Sequence, residues 1–244
     1  MKPIKTLLTI LFISLLSTPS WSMTIGDLVE RDGLHYEKFT DIPFTGEVTG
    51  NPQGSYKNGK RDGAWVGYHE TGQLGYKGNY KDAERDGDWV QYDENGQLWW
   101  KGNFKTGKEE GAWVYYHNGQ LESKGNFEHG KREGHWVFYW SSGELSYKGN
   151  YKNGFREGAW VGYHVNGQLS WKGNYKKSQH EGFWVSYEEN GTVQKGLTGT
   201  FKDVPWNRIK RTLISTWLID LFYFIGDNDI LIHGPLPQLQ KQRK

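Results

Sequence analysis

One short motif, Gly-x-Trp-Val, recurs six times in this chain at an almost fixed interval. Its tryptophans are Trp65, Trp89, Trp113, Trp136, Trp160 and Trp184, so successive intervals are 24, 24, 23, 24 and 24 residues. A fixed period of this length predicts an array of small units, each of which contacts only its neighbours. Such an array presents a long repetitive surface rather than one enclosed pocket, which favours binding over catalysis.

Within one unit the sequence has the pattern of a β-hairpin. Residues 63–69 form a first strand, Thr71-Gly72 the turn, and residues 74–80 the returning strand. A loop such as residues 60–62 then leads to the next hairpin. Asn-Gly is a strong hairpin signature because both residues of its turn adopt positive φ. Four other units have Asn-Gly at the turn: Asn95-Gly96, Asn118-Gly119, Asn166-Gly167 and Asn190-Gly191.

A turn at Thr71-Gly72 fixes which residues face each other. Because glycine leaves the backbone bare, a ring from a neighbouring strand can pack over it, and we expect these glycines to be packing partners. The third unit is one residue shorter, so keeping Trp113 opposite Gly125 requires a three-residue loop there. The predicted pairs are Trp65 with Gly78, Gly67 with Tyr76, Gly63 with Tyr80, Trp89 with Gly102, Gln91 with Trp100, and Gly87 with Phe104.

The composition supports short strands and tight turns. The 244 residues include 33 Gly, 13 Trp, 15 Tyr and 11 Phe, and aromatic residues favour the pleated surface of a sheet. We therefore predict an all-β fold, an elongated single-layer antiparallel meander of about six stacked hairpins. A C-terminal amphipathic helix caps it.

The first 22 residues have the features of a secretory signal peptide. Lys2 and Lys5 precede an apolar stretch, and Ser20 and Ser22 are small residues spaced for cleavage before Met23. The alternative is a membrane anchor, but the apolar run is shorter than the roughly 20 residues of a spanning helix. We expect an exported protein, periplasmic or secreted after cleavage.

The remaining chain divides into four segments. Residues 23–52 are a lead-in of capping strands, residues 53–203 the repeat array, residues 204–226 the capping helix and residues 227–244 a basic tail. Apolar residues at helical spacing indicate the helix. It either covers the last hairpin or lies on a membrane surface, where its basic start would help.

Charge and cysteine content exclude several partners. Without residues 1–22, the chain has 28 basic and 28 acidic side chains, which does not favour nucleic acid. No cysteine is present, so stability must come from packing. We expect no cofactor and no metal site. His69, His117 and His164 recur in alternate units, too far apart to share one ion.

A second recurrent feature is an acid before the glycine of each unit. Most of these acids follow an arginine, which predicts local ion pairs at turns. A calcium ladder is the alternative, although the glycine-aspartate pattern of calcium solenoids is missing. The acids are Asp62, Asp86, Glu110, Glu133, Glu157 and Glu181.

These units resemble a known family. Gly-x-Trp followed by segments such as Asn95-Gly96-Gln97-Leu98 and Lys101-Gly102-Asn103-Phe104 resembles MORN repeats, more closely the bacterial MORN-repeat-variant family, whose members are often labelled putative antitoxins. The resemblance covers residues 44–201. It implies a single-layer sheet of stacked hairpins. MORN arrays are associated with protein–protein contact, dimerisation and phospholipid binding.

The candidate binding residues are the recurrent rings and lysines. The rings are Trp65, Tyr76, Trp89, Trp100, Trp113, Trp136, Tyr147, Trp160, Trp171 and Trp184. The lysines are Lys77, Lys101, Lys148 and Lys172, in a row that also includes Lys124 and Lys195. In a single-layer sheet some rings stay exposed, and exposed apolar patches mark partners.

We expect a non-catalytic scaffold, because no nucleophile elbow, phosphate loop or zinc-protease motif occurs. Its partner is an envelope protein or a second copy of the chain. The alternatives are envelope glycan or lipid bound through the aromatic and lysine face, or an exported toxin that the chain inhibits.

Overall fold

The computed structural model describes residues 22–195 and 198–201, which all belong to the compact unit Met1–Phe201. The predicted leader, except Ser22, and the predicted C-terminal helix and tail lie outside the described residues. A short 3-10 helix, Ile25–Asp27, precedes the strands. The strands are β1 Leu28–Arg31, β2 Leu34–Glu37, β3 Gly46–Val48, β4 Gly54–Lys57, β5 Lys60–Arg61, β6 Gly63–Tyr68, β7 Leu74–Lys81, β8 Glu84–Tyr92, β9 Leu98–Lys105, β10 Lys108–His117, β11 Gln120–Glu128, β12 Lys131–Tyr139, β13 Leu145–Lys152, β14 Phe155–Tyr163, β15 Leu169–Lys176, β16 Gln179–Ser186 and β17 Gly199–Phe201.

The repeats form one antiparallel meander. Strands β6 to β17 pair strictly in chain order in a 12-stranded sheet, and β3 to β5 form a three-stranded sheet before it. Strands β1 and β2 pair with each other. The predicted all-β array of stacked hairpins is confirmed, and each unit contacts its sequence neighbours.

The predicted register of the hairpins is also confirmed. Trp65 pairs with Gly78 and Gly67 with Tyr76, and the second unit keeps the equivalent pairs. The loop differs from the prediction, however, because Glu70, Thr71 and Gly72 form three loop residues closed by His69 and Gln73. A bulge in the returning strand restores the register, and of the loop residues only the glycine has positive φ.

In the third unit the loop is shorter than predicted. Its loop is the two-residue turn Asn118-Gly119, with both φ values positive at 49° and 75°. The predicted three-residue loop is therefore wrong. Glu122 bulges from the returning strand as Gly75 and Trp99 do in the first two units, so the shorter turn alone accounts for the missing residue and Trp113 stays opposite Gly125.

Tight two-residue turns lie at the other edge of the sheet. The predicted loop at residues 60–62 is wrong, since Lys60 pairs with Lys57 across the turn Asn58-Gly59. Both residues of that turn have positive φ, as hairpin twist requires. The equivalent turns are Asp82-Ala83, Thr106-Gly107, His129-Gly130, Asn153-Gly154 and Lys177-Ser178.

The packing of each tryptophan joins consecutive units. Although Trp89 pairs with Gly102, its ring lies over Gly78 of the preceding hairpin, where an added Cβ would overlap the indole. Its Nε1 donates to the Asn79 carbonyl at 2.9 Å. All six tryptophans donate to the preceding unit in this way, over 2.9–3.2 Å. The other covered glycines are Gly54, Gly102, Gly125, Gly149 and Gly173.

The glycine two residues before each tryptophan has a different role. Gly87 has a φ of +77°, and an added Cβ there would touch only Asn79 at 3.9 Å. Gly63, with a φ of +86°, is equivalent. The prediction that these glycines are packing partners is therefore wrong, because their backbone conformation is what excludes a side chain.

A degenerate unit precedes the first Gly-x-Trp motif. Val48 pairs with Gly54 as Trp65 pairs with Gly78, and Val48 is only 2% exposed. It packs in one cluster with Leu28, Tyr56 and Trp65. The lead-in thus supplies apolar side chains to the start of the array.

Replacing Gly125 with Ala tests the contact between units. The methyl group would overlap the Trp136 ring, and overpacking of this kind costs about 1–3 kcal/mol of unfolding free energy. Gly26→Ala is the control, because its Cβ would meet only Thr24 Oγ1 at 3.5 Å. Urea denaturation measures both variants, and equal stability would contradict the proposed packing.

Candidate functional site

The two sides of the sheet differ in composition and exposure. We call the side that carries Trp65, Tyr76 and Tyr80 the tryptophan face, and the side that carries Val66, Lys77 and Asn79 the lysine face. Successive residues of a strand point to opposite sides, so the two sets of side chains do not mix.

Aromatic packing fills the tryptophan face. The six motif tryptophans are at most 6% exposed. Between consecutive tryptophans stands a Tyr or Phe in edge-to-face contact with both, for example Tyr80 with Trp65 at 6.0 Å and with Trp89 at 5.0 Å between ring centroids. Edge-to-face pairs each contribute about 0.5–1.5 kcal/mol beyond their buried area. The intervening rings are Tyr80, Phe104, Phe127, Tyr151 and Tyr175.

The other four candidate rings pack against the next tryptophan. Trp100 stacks on Trp113 at 5.1 Å and Trp171 on Trp184 at 5.4 Å. Tyr76 stacks on Trp89, and Tyr147 is tilted against Trp160. Burial raises the pKa of Tyr147 to about 12, against the opposing effect of Arg156. All ten candidate rings therefore belong to the internal packing of the sheet.

Arginines cover the tryptophans instead of pairing with the recurrent acids. The guanidinium carbon of Arg61 lies 4.7 Å from the centroid of the Trp65 ring, and Nη1 donates to the Tyr80 hydroxyl at 3.3 Å. Cation–π contacts of this kind contribute about 0.5–2 kcal/mol. The equivalent arginines are Arg85, Arg132 and Arg156. Glu109 and His180 hold this position in the third and sixth units.

Three of the six recurrent acids accept backbone N–H groups of the two-residue turns, and Glu181 forms an ion pair with Lys176 at 3.3 Å. Glu110 accepts the His129 N–H at 3.0 Å, and Glu133 accepts the Asn153 N–H at 2.7 Å. Glu157 does the same for Lys177. The predicted ion pairs with the preceding arginines are therefore replaced by bonds to backbone donors one hairpin further on. Within residues 22–195 and 198–201, no cluster of three or more His, Asp or Glu side chains could hold a metal.

The recurrent histidines join hairpin loops. His69 Nε2 lies 3.0 Å from the Tyr92 carbonyl, and His164 Nε2 lies 2.8 Å from the Tyr187 carbonyl. A ring nitrogen that contacts a carbonyl is a donor. These contacts give the two side chains a structural role between consecutive units.

The lysine face carries a continuous line of paired residues across the sheet. Val66 pairs with Lys77, Lys77 with Val90, and the alternation continues to Val185. Its other members are Lys101, Val114, Lys124, Val137, Lys148, Val161 and Lys172. We call this line the lysine–valine row. Lys195 lies outside the strands.

Parallel lines of residues flank this row. Asn79 and Asn103 belong to a line toward the two-residue turns, and the recurrent acids Asp86 and Glu110 lie in the same line, opposite these asparagines. Tyr92 and Tyr116 belong to a line toward the hairpin loops. The described structure shows no carboxylate within 4.0 Å of the five lysines, while Lys124 lies 5.9 Å from the Tyr139 ring centroid.

The sequence pattern therefore assigned the candidate residues to the correct repeats, but the prediction treated the rings and the lysines as one surface. The structure puts the rings and the lysines on opposite faces, so the expected aromatic and lysine surface is not a single surface. The valines, asparagines and tyrosines beside the lysines were missed as candidates. The sequence did indicate this second face, because Trp65 and Val66 are consecutive strand residues and therefore point to opposite sides of the sheet.

The fold and its residues define an all-β repeat protein made of stacked hairpins. A family model described as MORN repeat variant matches residues 61–82, 85–106, 109–129 and 132–153. Each match ends at the first residue of a two-residue turn, so one match is one hairpin. Residues 61–153 of this chain are four tandem MORN repeats of the variant type.

Other comparisons add no functional information. The crystal structure of the GtfA/B complex bound to UDP and GlcNAc is 12% identical over 67% of this chain and 25% of the solved chain, with a TM-score of 0.14. This chain thus spans a quarter of that protein, and the score is too low for an argument about fold or function. No curated protein matches this sequence significantly. No helix in the described part of the chain is long and apolar enough to span a bilayer.

The pH dependence of stability tests the position of His180. Burial, and then Arg156, lower the pKa of His180 from 6.5 to about 4. The unfolded chain binds a proton more readily, so this contribution is present above pH 6.5 and is lost as the pH falls toward 4. Because the ring keeps solvent contact, we expect a loss of about 1–2 kcal/mol.

Urea denaturation of the wild type and of His180→Gln between pH 8 and pH 4 measures this loss. The wild type should lose stability more steeply than the variant within this window. An equal loss of stability in the two proteins would contradict the lowered pKa of His180.

Proposed function

We propose that this chain is an exported, non-catalytic repeat scaffold that binds an envelope protein, or a second copy of itself, through the lysine face. The proposal rests on one observation. The rings of the tryptophan face pack against one another, whereas the opposite face carries an open lysine–valine row. MORN repeats are generally non-catalytic and are typically binding scaffolds, which supports this choice.

The chemistry of the lysine face suits a protein partner. Half-buried Val114 lies between the exposed Lys101 and Lys124, and half-buried Val137 lies next to Lys124 on the following strand. Tyr116 and Tyr139 flank these valines. Aromatic residues supply most of the energy at protein interfaces, and charges at the margin steer association. The lysines and the hydrogen-bonding asparagines also favour an anionic glycan as the second candidate.

Site-specific photo-cross-linking tests which face binds. A photoreactive residue at Val114, on the lysine face, should give a cross-linked species of fixed mass in cells, which mass spectrometry identifies. The same residue at Gln91, on the half-buried tryptophan face, is the control. Cross-links at Gln91 alone would contradict the proposed surface, and a dimer of the chain would assign self-association.

Export has its own test. If residues 1–22 are a leader, the protein recovered from the envelope or medium should begin at Met23. Intact-mass measurement on the purified protein decides between cleavage and retention. A chain that keeps Met1 and stays in the cytosol would contradict both export and an envelope partner, and it would leave the choice of binding face to the cross-linking experiment.

A further inference from the structure

The spacing of the lysine–valine row defines a periodic array of positive charge. Neighbouring strands of a sheet lie about 4.8 Å apart, so lysines on alternate strands are separated by about 9.6 Å. Five lysines stand in this order: Lys77, Lys101, Lys124, Lys148 and Lys172. Because the five lysines share one register, their Cα atoms lie at the same level across the sheet.

This period selects one conformation of an acidic polypeptide. A polyproline II helix has three residues per turn and rises about 3.1 Å per residue, so every third side chain returns to the same side after about 9.3 Å. The difference from the lysine period accumulates to only about 1.2 Å over four intervals, which the long lysine side chains absorb.

Other conformations fit less well. In a β-strand, residues three apart point to opposite sides, so they cannot all meet one row. Two turns of an α-helix rise about 10.8 Å, and the mismatch with the lysine period exceeds about 4 Å over four intervals.

The surroundings of the lysines suit the same ligand. Val90 and Val114 lie between consecutive lysines and offer apolar contact to proline rings. Tyr92 and Tyr116 flank the row, and aromatic side chains line the grooves that bind polyproline II segments. The recurrent acids pair with the asparagines and not with the lysines, since Asp86 lies opposite Asn79 and Glu110 opposite Asn103. In the described structure no carboxylate lies within 4.0 Å of the five lysines, and Glu110 bonds to a turn N–H.

We propose that the lysine–valine row binds an acidic segment of a partner protein in polyproline II conformation, with a carboxylate at every third residue. This inference rests on the proposed function, since it names the chemistry of the partner at the same face. The partner segment runs across the strands, so its length sets how many hairpins it engages.

The probe is a fluorescein-labelled peptide of five consecutive Glu-Pro-Pro triplets, titrated with the full chain at low salt and followed by fluorescence anisotropy. Its composition-matched control places the five glutamates in one central block between two blocks of five prolines, so the charge is equal and the spacing differs. We expect the spaced peptide to bind about tenfold more tightly, because exposed ion pairs each contribute little and must all form together. Added salt should weaken the binding.

Two variants on the same strands locate the site. Lys77→Glu with Lys101→Glu changes the row, and Lys81→Glu with Lys105→Glu makes the same charge change four residues further along β7 and β9. The row variant should weaken binding by about tenfold, and the control variant by no more than about twofold. Thermal melting confirms that both variants fold.

Four results would overturn the inference. Equal affinity for the two peptides would show that only net charge matters, and equal loss in the two variants would place the site elsewhere. Displacement of the spaced peptide by polyphosphate at a lower concentration would assign the row to a non-peptide polyanion. If neither peptide binds while the Val114 cross-link to a protein persists, the proposed function stands and this partner chemistry is wrong.

Discussion

The contact between a tryptophan ring and the bare glycine of the preceding hairpin is the interaction on which the array depends. It removes the indole from water, places Nε1 against a backbone carbonyl, and fixes the position of one hairpin relative to the next. Because the partner glycine lies in another unit, no hairpin can complete its own packing. Stability therefore arises between neighbours, as expected for a quasi-one-dimensional repeat protein. The edge-to-face rings and the arginines above them add to this same contact.

This packing determines which surface remains for function. A strand has only two sides, and each unit uses one of them for the tryptophan, its neighbouring rings and the arginine. The surface that we propose for binding is therefore built from the intervening positions, where valine, lysine and asparagine stand. A search for aromatic residues alone leads to the packed face, since in this sheet large rings mark internal packing.

Much of the fold followed from the sequence, and the errors have local causes. The period of the tryptophans predicted the array, and the turn glycines predicted the register of Trp65 with Gly78. Tyr76 does cover its predicted partner Gly67, but the glycine beneath each motif tryptophan was missed, because pairing in one hairpin does not show which neighbouring glycine a large side chain covers. The lengths of the loops were predicted incorrectly because Asn-Gly occurs both in a two-residue turn, as at Asn118, and in a three-residue loop, as at Asn95. The separation of lysines from rings follows from strand alternation in the predicted hairpin, which puts Val66 and Lys77 on the side opposite to Trp65, and the error was to combine the two sets in one binding surface.

The irregular third unit shows how the lysine face stays periodic. This unit lacks one residue and carries Glu109 where four of the other units have arginine, so its tryptophan face differs from theirs. Yet Val114 still pairs with Lys101 and Lys124, because the missing residue is taken from the loop, which is a two-residue turn here and has three residues in the first two units. The bulge at Glu122 matches those at Gly75 and Trp99, so the centre of the sheet is unchanged. An error of one residue would turn the lysine to the other face. The row of five lysines is therefore a single register across the whole array, and its period remains that of the strands.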